Sequence, residues 1–373
     1  MHTQSLFAET LPQPIPIARV IADSGHMLGR KPTPTPEPAP VPKPKPPEPT
    51  PVVRSNPWTR VGRGFEPTSD AHEALHRSGL NWAVEKVGLR TDDLAPVPGQ
   101  FAIRRSDTGK VLGIVGDEYN LLQNESAFGF FRSLAGCGPI SFESAGFFGH
   151  GAIVWIQARL PDLQIRFGDD ISETMLFISN GHIGNKALVV APTTFRIACK
   201  NSLRMAEAEH GAERRREPRL EAGWTVRHTR GMTDALADIH AAYARTRRSH
   251  VVTVQAFEHL VSKPITERLK DTFFARVFEA AGPDESERAK TIAQNRRSQL
   301  EAILAGPTSQ IRGTRGTAFA LFNAVTEHIE HDRSTRTEGG GDEHEARLVS
   351  ATFGSGSARK QAAWSAVMEL TGA

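Results

Sequence analysis

Between Ile140 and Leu203 the chain alternates extended segments with turn chemistry, and no other feature restricts the fold as much. Five segments read as strands: 142–148, 152–160, 163–167, 175–179 and 187–200. Their separators are Gly149-His150-Gly151, Pro161-Asp162, Gly168-Asp169-Asp170 and the turn from Asn180 to Lys186. Loops this short join antiparallel neighbours, since a parallel crossover needs roughly a dozen residues or more. The expectation is a curved, mainly antiparallel sheet.

The flanking sequence supports this. Residues 69–78 read as a short helix with Leu75 on its apolar face, and 101–105 as a strand ending in the turn Ser106-Asp107-Thr108-Gly109. Residues 111–122 read as two short strands about Gly116-Asp117, and Asn124 as the cap of a helix carrying Phe128, Phe131 and Leu134. After Asn201 the periodicity becomes helical. One helix is expected after Thr233 with Leu236, Ile239 and Tyr243, and a second near Phe257 and Leu260. A third covers 265–281, a fourth carries Phe319, Phe322, Val325 and Ile329, and a last one spans 357–370. Residues 282–316 look polar and basic, and 334–345 read as a glycine-rich loop. Strands first and helices afterwards define an α+β fold.

Composition matters at the N-terminus. Eleven of the 25 prolines lie between Pro32 and Pro51. Proline lacks the backbone donor, so residues 1–53 are expected to be a disordered tail with polyproline II character. Such a tail is a spacer or a ligand for a proline-reading domain. The expected division is 1–53 tail, 54–205 mixed sheet region and 206–373 helical region, the last two forming one unit.

The net charge of +3 neither demands nor excludes nucleic acid. It is unevenly spread: residues 200–250 hold eleven Lys/Arg against seven Asp/Glu. Cys137 and Cys199 form no Cys-x-x-Cys pair, which argues against a thiolate zinc site and fits reduced thiols. No apolar run approaches membrane-span length and no signal peptide is evident, so a cytoplasmic location is expected, with no membrane partner.

The candidate functional residues fall in three places. Arg196 and Lys200 sit at the end of a strand, followed by Asn201 or Ser202 as the cap of a helix; two cations beside free N–H groups suit an anion. The turn Asn180 to Lys186 offers Asn180, His182 and Lys186 among glycines that permit close approach. Arg214, Arg215 and Arg216 form the densest basic run. Each has a plainer explanation: a cross-sheet salt bridge, a hairpin turn and a solvated face. His328, His331 and Asp332 share a helix face at metal-ligand spacing but lack further ligands, so no metal and no cofactor are expected. Cys199 alternates with the apolar Phe195 and Ile197, which reads as buried and inert. P-loop, nucleophile-elbow and His-Glu-x-x-His patterns are absent, and no catalytic residue is assigned.

These residues also resemble a known family. Leu112-Gly113 through Tyr119, then Gln123-Asn124 and Phe128, resemble a stretch of the phage/plasmid-like family catalogued as domain of unknown function 932. Asn180, His182 and Gly184 resemble its turn, and Arg196, Cys199, Asn201 and Leu203 its strand end. Thr317 to Thr326-Glu327 and His331 resemble its late helix, and Phe353-Gly354 its closing segment. The resemblance runs from Trp82 to the C-terminus and implies residence on phages, plasmids or integrated elements, without supplying an activity.

Together these readings favour a non-enzymatic nucleic-acid-binding protein of mobile-element replication, recombination or maintenance, with single- or double-stranded DNA as partner. The alternatives are a metal-dependent nuclease or phosphate-chemistry enzyme, and a structural or host-interaction protein. Whether the chain is an enzyme, and whether it self-associates, is left open by the sequence.

Overall fold

Turn chemistry and short connections do produce a curled antiparallel sheet with most helices in the C-terminal half. The computed structural model describes residues 54–135, 139–203, 224–226, 228, 239–278, 286–337 and 341–373, together with a two-residue strand, β1 (Ile15–Pro16). Apart from β1, the expectation for residues 1–53 lies outside the described residues.

The strands that follow are β2 (Arg63–Thr68), β3 (Val84–Arg90), β4 (Pro96–Arg105), β5 (Val111–Gly116), β6 (Ser141–Phe148), β7 (Ile153–Phe167), β8 (Asp170–Gly181), β9 (Leu188–Arg196), β10 (Asn201–Leu203) and β11 (Trp224–Val226). The large sheet runs β10-β9-β8-β7-β6-β2, with β11 also on β9, and every pairing in it is antiparallel. A smaller sheet runs β1-β3-β4-β5, in which only β1 is parallel to its neighbour. The helices are α1 (Pro57–Val61), α2 (Ala71–Ser78), α3 (Asn124–Ala135), α4 (Ile239–Ser262), α5 (Glu267–Phe278), α6 (Glu287–Ala305), α7 (Ala318–Glu327), α8 (Glu343–Phe353) and α9 (Ser355–Thr371). A single π-helical turn, His328–Asp332, prolongs α7.

Both faces of the large sheet are covered. Val154, Ile156 and Ala158 of β7, with Leu176 and Ile178 of β8, join the core that holds Leu75, Leu112, Leu122 and Phe128. The alternate residues Trp155, Met175 and Phe177 pack with Trp58, Phe195 and Leu348 on the opposite face. Period-two alternation thus serves two apolar layers. A third core is helical, built around Phe257, Phe273, Phe319, Phe322 and Trp364, and it reaches Ile165 at the end of β7.

Several elements differ from the reading of the sequence. Pro161-Asp162 is no turn: β7 continues through it, and a register shift against β8 between Arg159 and Gln164 absorbs the proline. Residues 117–123 form no second strand. There the Gln123 side-chain amide pairs with both the N–H and the C=O of Val84, at 2.9 Å each, doing the work of a neighbouring strand. No helix starts at Asn201, because β10 folds back onto β9 through a turn with Lys200 in the left-handed region (φ 53°). The helices expected on either side of residue 250 are one element, α4, and the proposed cap Thr233 lies outside the described residues. The polar stretch 282–316 contains α6, which buries only Leu300 and Ile303 among its residues. Asp342 caps α8 by accepting from the His344 N–H, so a helix begins inside the expected glycine-rich loop.

Candidate functional site

The two groups of strand-end residues do not meet. Arg196 is opposite Ser172 near the start of β8, whereas Gly181, just before His182, ends that strand beside Ile153. Those positions are nine residues apart along β8, roughly 30 Å along an extended chain. A single surface combining His182 with Arg196 and Lys200 is therefore excluded by the topology.

At the β8–β9 end, Asp170 supplies the partner that Arg196 needs. Arg196 Nε is 3.0 Å from both carboxylate oxygens of Asp170, and its Nη2 is 2.5 Å from Oδ2. Thr314 adds its hydroxyl to the same Oδ2. Thr314 arrives because the loop before α7 docks on the β7–β8 turn, where Asp169 N–H donates to the Arg312 carbonyl at 2.9 Å. That approach requires glycine at 313: φ is 107°, and a Cβ would lie 2.1 Å from the Phe167 carbonyl oxygen. Burial disfavours the Arg196 cation, but the Asp170 carboxylate and a hydrogen bond to the Cys199 sulfur hold its pKa above the usual arginine value. Cys199 donates to Asn201 Oδ1 at 2.6 Å, and Asn201 Nδ2 donates to Thr326 Oγ1 on α7. Burial pushes the Cys199 thiol up to about 12, despite the opposing Arg196 cation. Arg196, Cys199 and Asn201 thus bolt the sheet to α7, and a ligand reaches none of them from solvent.

A second buried ion pair continues the seam. Glu330, in the π turn, accepts from Lys360 Nζ at 2.6 Å, Ser202 Oγ at 2.9 Å and the Ser202 N–H at 3.0 Å. Lys360 also donates to the Ser202 carbonyl at 2.9 Å. Glu327 accepts from Arg54 at 2.9 Å and Thr308 at 2.8 Å.

At the other end, His182 is fully buried. Its Nε2 meets Asn124 Oδ1 at 3.0 Å, while Asn124 Nδ2 donates to the Leu80 and Trp82 carbonyls. Asn124 opens α3, yet its amide ties three segments together. Burial first, then His228 and Arg105, push the His182 pKa down to about 3, so its imidazole is neutral. Asn180 is buried and donates to the Leu122 carbonyl at 3.2 Å. Ile183 lies against Gly113, where a Cβ would sit 3.0 Å from the Ile183 Cα; the glycine of β5 is needed for this contact.

The remaining expected contacts disperse. Lys186 Nζ lies 5.4 Å from the Phe353 ring centroid and Lys200 Nζ 5.8 Å from that of Phe195. Arg214, Arg215 and Arg216 lie outside the described residues. His328 and His331 sit in the π turn, but Asp332 is held bidentately by Arg54 at 2.8 and 2.9 Å. Among the described residues, no group of three or more His, Cys, Asp and Glu side chains is placed to hold a metal.

The structure instead assembles cations that the sequence keeps far apart. Arg296 of α6 and Arg359 of α9 both lie over the ring of Phe278, the last residue of α5, at 5.1 and 5.4 Å from its centroid. His328 meets the same ring edge-on at 5.9 Å. Arg333 follows the π turn: its N–H donates to the His328 carbonyl at 2.8 Å and its Nη2 to Ser355 Oγ at 3.2 Å. Arg296 Nη1 donates to the Phe278 carbonyl at 3.4 Å. Among the described residues none of the three forms an ion pair, in contrast to their neighbours Arg297 and Arg347. Burial and then Arg359 and Arg333 depress the pKa of Arg296, and burial and then Arg359 depress that of Arg333. All three are partly exposed. The sequence signal was faint: an Arg-Arg pair in a basic stretch, and two arginines each adjacent to a charged neighbour.

A family model described as a domain of unknown function (DUF932) matches residues 111–352. No curated protein and no solved structure matches the chain.

Proposed function

The chain belongs to the DUF932 family, and from that premise we propose that it is a non-enzymatic nucleic-acid-binding protein, cytoplasmic and acting in mobile-element replication, recombination or maintenance. One observation carries this reading: Arg296 and Arg359 share the Phe278 ring and Arg333 reaches Ser355 at the start of the helix bearing Arg359, with no ion pair to a carboxylate among the described residues. Gathering like charges without a counter-ion costs free energy, and an incoming phosphate removes that cost. Guanidinium groups match phosphate oxygens bidentately. Arg196, Cys199 and Asn201, by contrast, are hydrogen-bonded within the protein and contribute rigidity. The mobile-element setting rests on the resemblance of the motifs.

The test is fluorescence anisotropy of the full chain with single- and double-stranded oligonucleotides. Binding is expected at ~50 mM salt and should weaken about tenfold or more by ~200 mM, because phosphate neutralisation releases counterions. Replacing Arg296, Arg333 and Arg359 together by glutamine should remove most of the affinity. No binding at low salt, or binding indifferent to both salt and the triple substitution, defeats the proposal.

A further inference from the structure

We infer that the Arg296–Arg333–Arg359 site takes a terminal phosphate, a phosphomonoester, rather than the internal phosphodiesters of a strand; this rests on the nucleic-acid reading above. The arrangement is convergent. Two guanidinium groups share one aromatic ring, and the third is hydrogen-bonded to Ser355, one helical turn before Arg359 on α9. A track along a backbone would spread its cations, each meeting its own phosphate. A phosphodiester offers one charge and two free oxygens, whereas a monoester carries ~1.5–2 charges at neutral pH and three acceptor oxygens. Arg296 and Arg359 on one ring, with Arg333 held at the start of the helix that carries Arg359, supply the charge that the latter needs.

Three neighbouring features favour the same ligand. Arg333 reaches Ser355, the first residue of α9, so its guanidinium is held on the helix that carries Arg359. Phe278 is covered by Arg296 and Arg359, which keeps the ring from serving as a platform for a base. His328, 4% exposed, has no partner for Nδ1 among the described residues and is held neutral, with a pKa pushed down to about 4 by burial and further by the three arginines, against the pull of Asp332. Asp332, the residue before Arg333, is engaged by Arg54. The site therefore reads a phosphate group and ignores the base.

The experiment compares the full chain binding the same oligonucleotide with a 5′-phosphate, a 3′-phosphate or hydroxyl ends, by anisotropy, with inorganic phosphate as competitor. A phosphate-ended strand should bind at least about tenfold tighter, and millimolar inorganic phosphate should erase the difference. Arg359→Gln should abolish the discrimination while leaving the melting temperature unchanged or raised, because it relieves like-charge repulsion. Equal binding of all ends, with Arg359→Gln weakening each alike, overturns the terminal-phosphate inference and leaves nucleic-acid binding standing. If no oligonucleotide binds but inorganic phosphate raises the melting temperature of the wild type and not of Arg359→Gln, the phosphate site stands and the nucleic-acid reading falls. A chain unaffected by any of these probes loses both. Asp284 and Glu285, outside the described residues, supply a control: if discrimination appears only in the Asp284→Asn/Glu285→Gln variant, the arginines serve an internal ion pair and the inference fails.

Discussion

The Arg196 guanidinium lies against the Asp170 carboxylate, 26 positions away in sequence, with side chains only 3% and 1% exposed. Thr314 and Cys199 complete the shell around this pair. A buried ion pair is weak evidence of net stability, because desolvation offsets much of the attraction. Breaking one is different, since the surviving charge stays buried and unpaired. Asp170→Ala should lower the unfolding free energy by about 3–5 kcal/mol, measured from the urea midpoint. A loss below about 1 kcal/mol would show that water relieves Arg196.

Glu330 and Lys360 provide an independent case, because Lys360 belongs to α9 and Glu330 to the π turn. Lys360→Met alone should cost about 3–5 kcal/mol. Adding Glu330→Gln should recover at least about 1 kcal/mol of that loss, since the pair is in direct contact. Strict additivity in this double-mutant cycle would mean that the two side chains do not sense each other.

The buried neutral His182 makes a prediction about pH. Its folded pKa is held down near 3, against an unfolded value near 6.5. Above about 6.5 both states are unprotonated and the full stability is present. As pH falls from there towards 3, the unfolded chain takes up a proton that the folded chain refuses. Stability should then fall by roughly 1.4 kcal/mol per pH unit from this group. His182→Gln keeps a donor for Asn124 and should flatten the wild-type slope between pH 6 and 4. Parallel slopes for the two proteins would remove His182 as a source of acid sensitivity.

Cys199 should be chemically silent in the folded protein. It is buried, hydrogen-bonded to Asn201, and its pKa lies near 12, so thiolate is scarce at neutral pH. In a Cys137→Ser background, a maleimide should label Cys199 only as fast as the protein unfolds, and rapidly in urea. Native labelling at the rate of a free thiol contradicts this placement.

The period-two alternation of Ile153 to Ala158 and of Met175 to Ile178 specifies half-buried strands, and the short glycine-rich separators specify hairpins. Those signals are local, so they survive in the linear chain. The α+β layout, the buried Cys199 and the family motifs were legible for that reason. The end of β9 was not. Arg196 followed by Lys200 and Asn201 reads equally well as an anion site or a salt bridge. The choice depends on Asp170 across the sheet and on Thr314 and Thr326 from segments well over a hundred residues away. The same holds for α6, whose polar sequence is helical because Leu300 finds a core to enter, with Leu304 packed against it.

By itself, then, the sequence determined the layers: which stretches extend, where they turn, and that helices follow. Only the tertiary structure decided which charges are paired inside the protein and which are not. Arg196 and Lys360 meet carboxylates in the interior, whereas Arg296 and Arg359 share the Phe278 ring and form no ion pair among the described residues. The physical reason is that backbone preference acts over a few residues, while the Coulomb interaction depends on distance in space and on burial, which a linear chain does not contain.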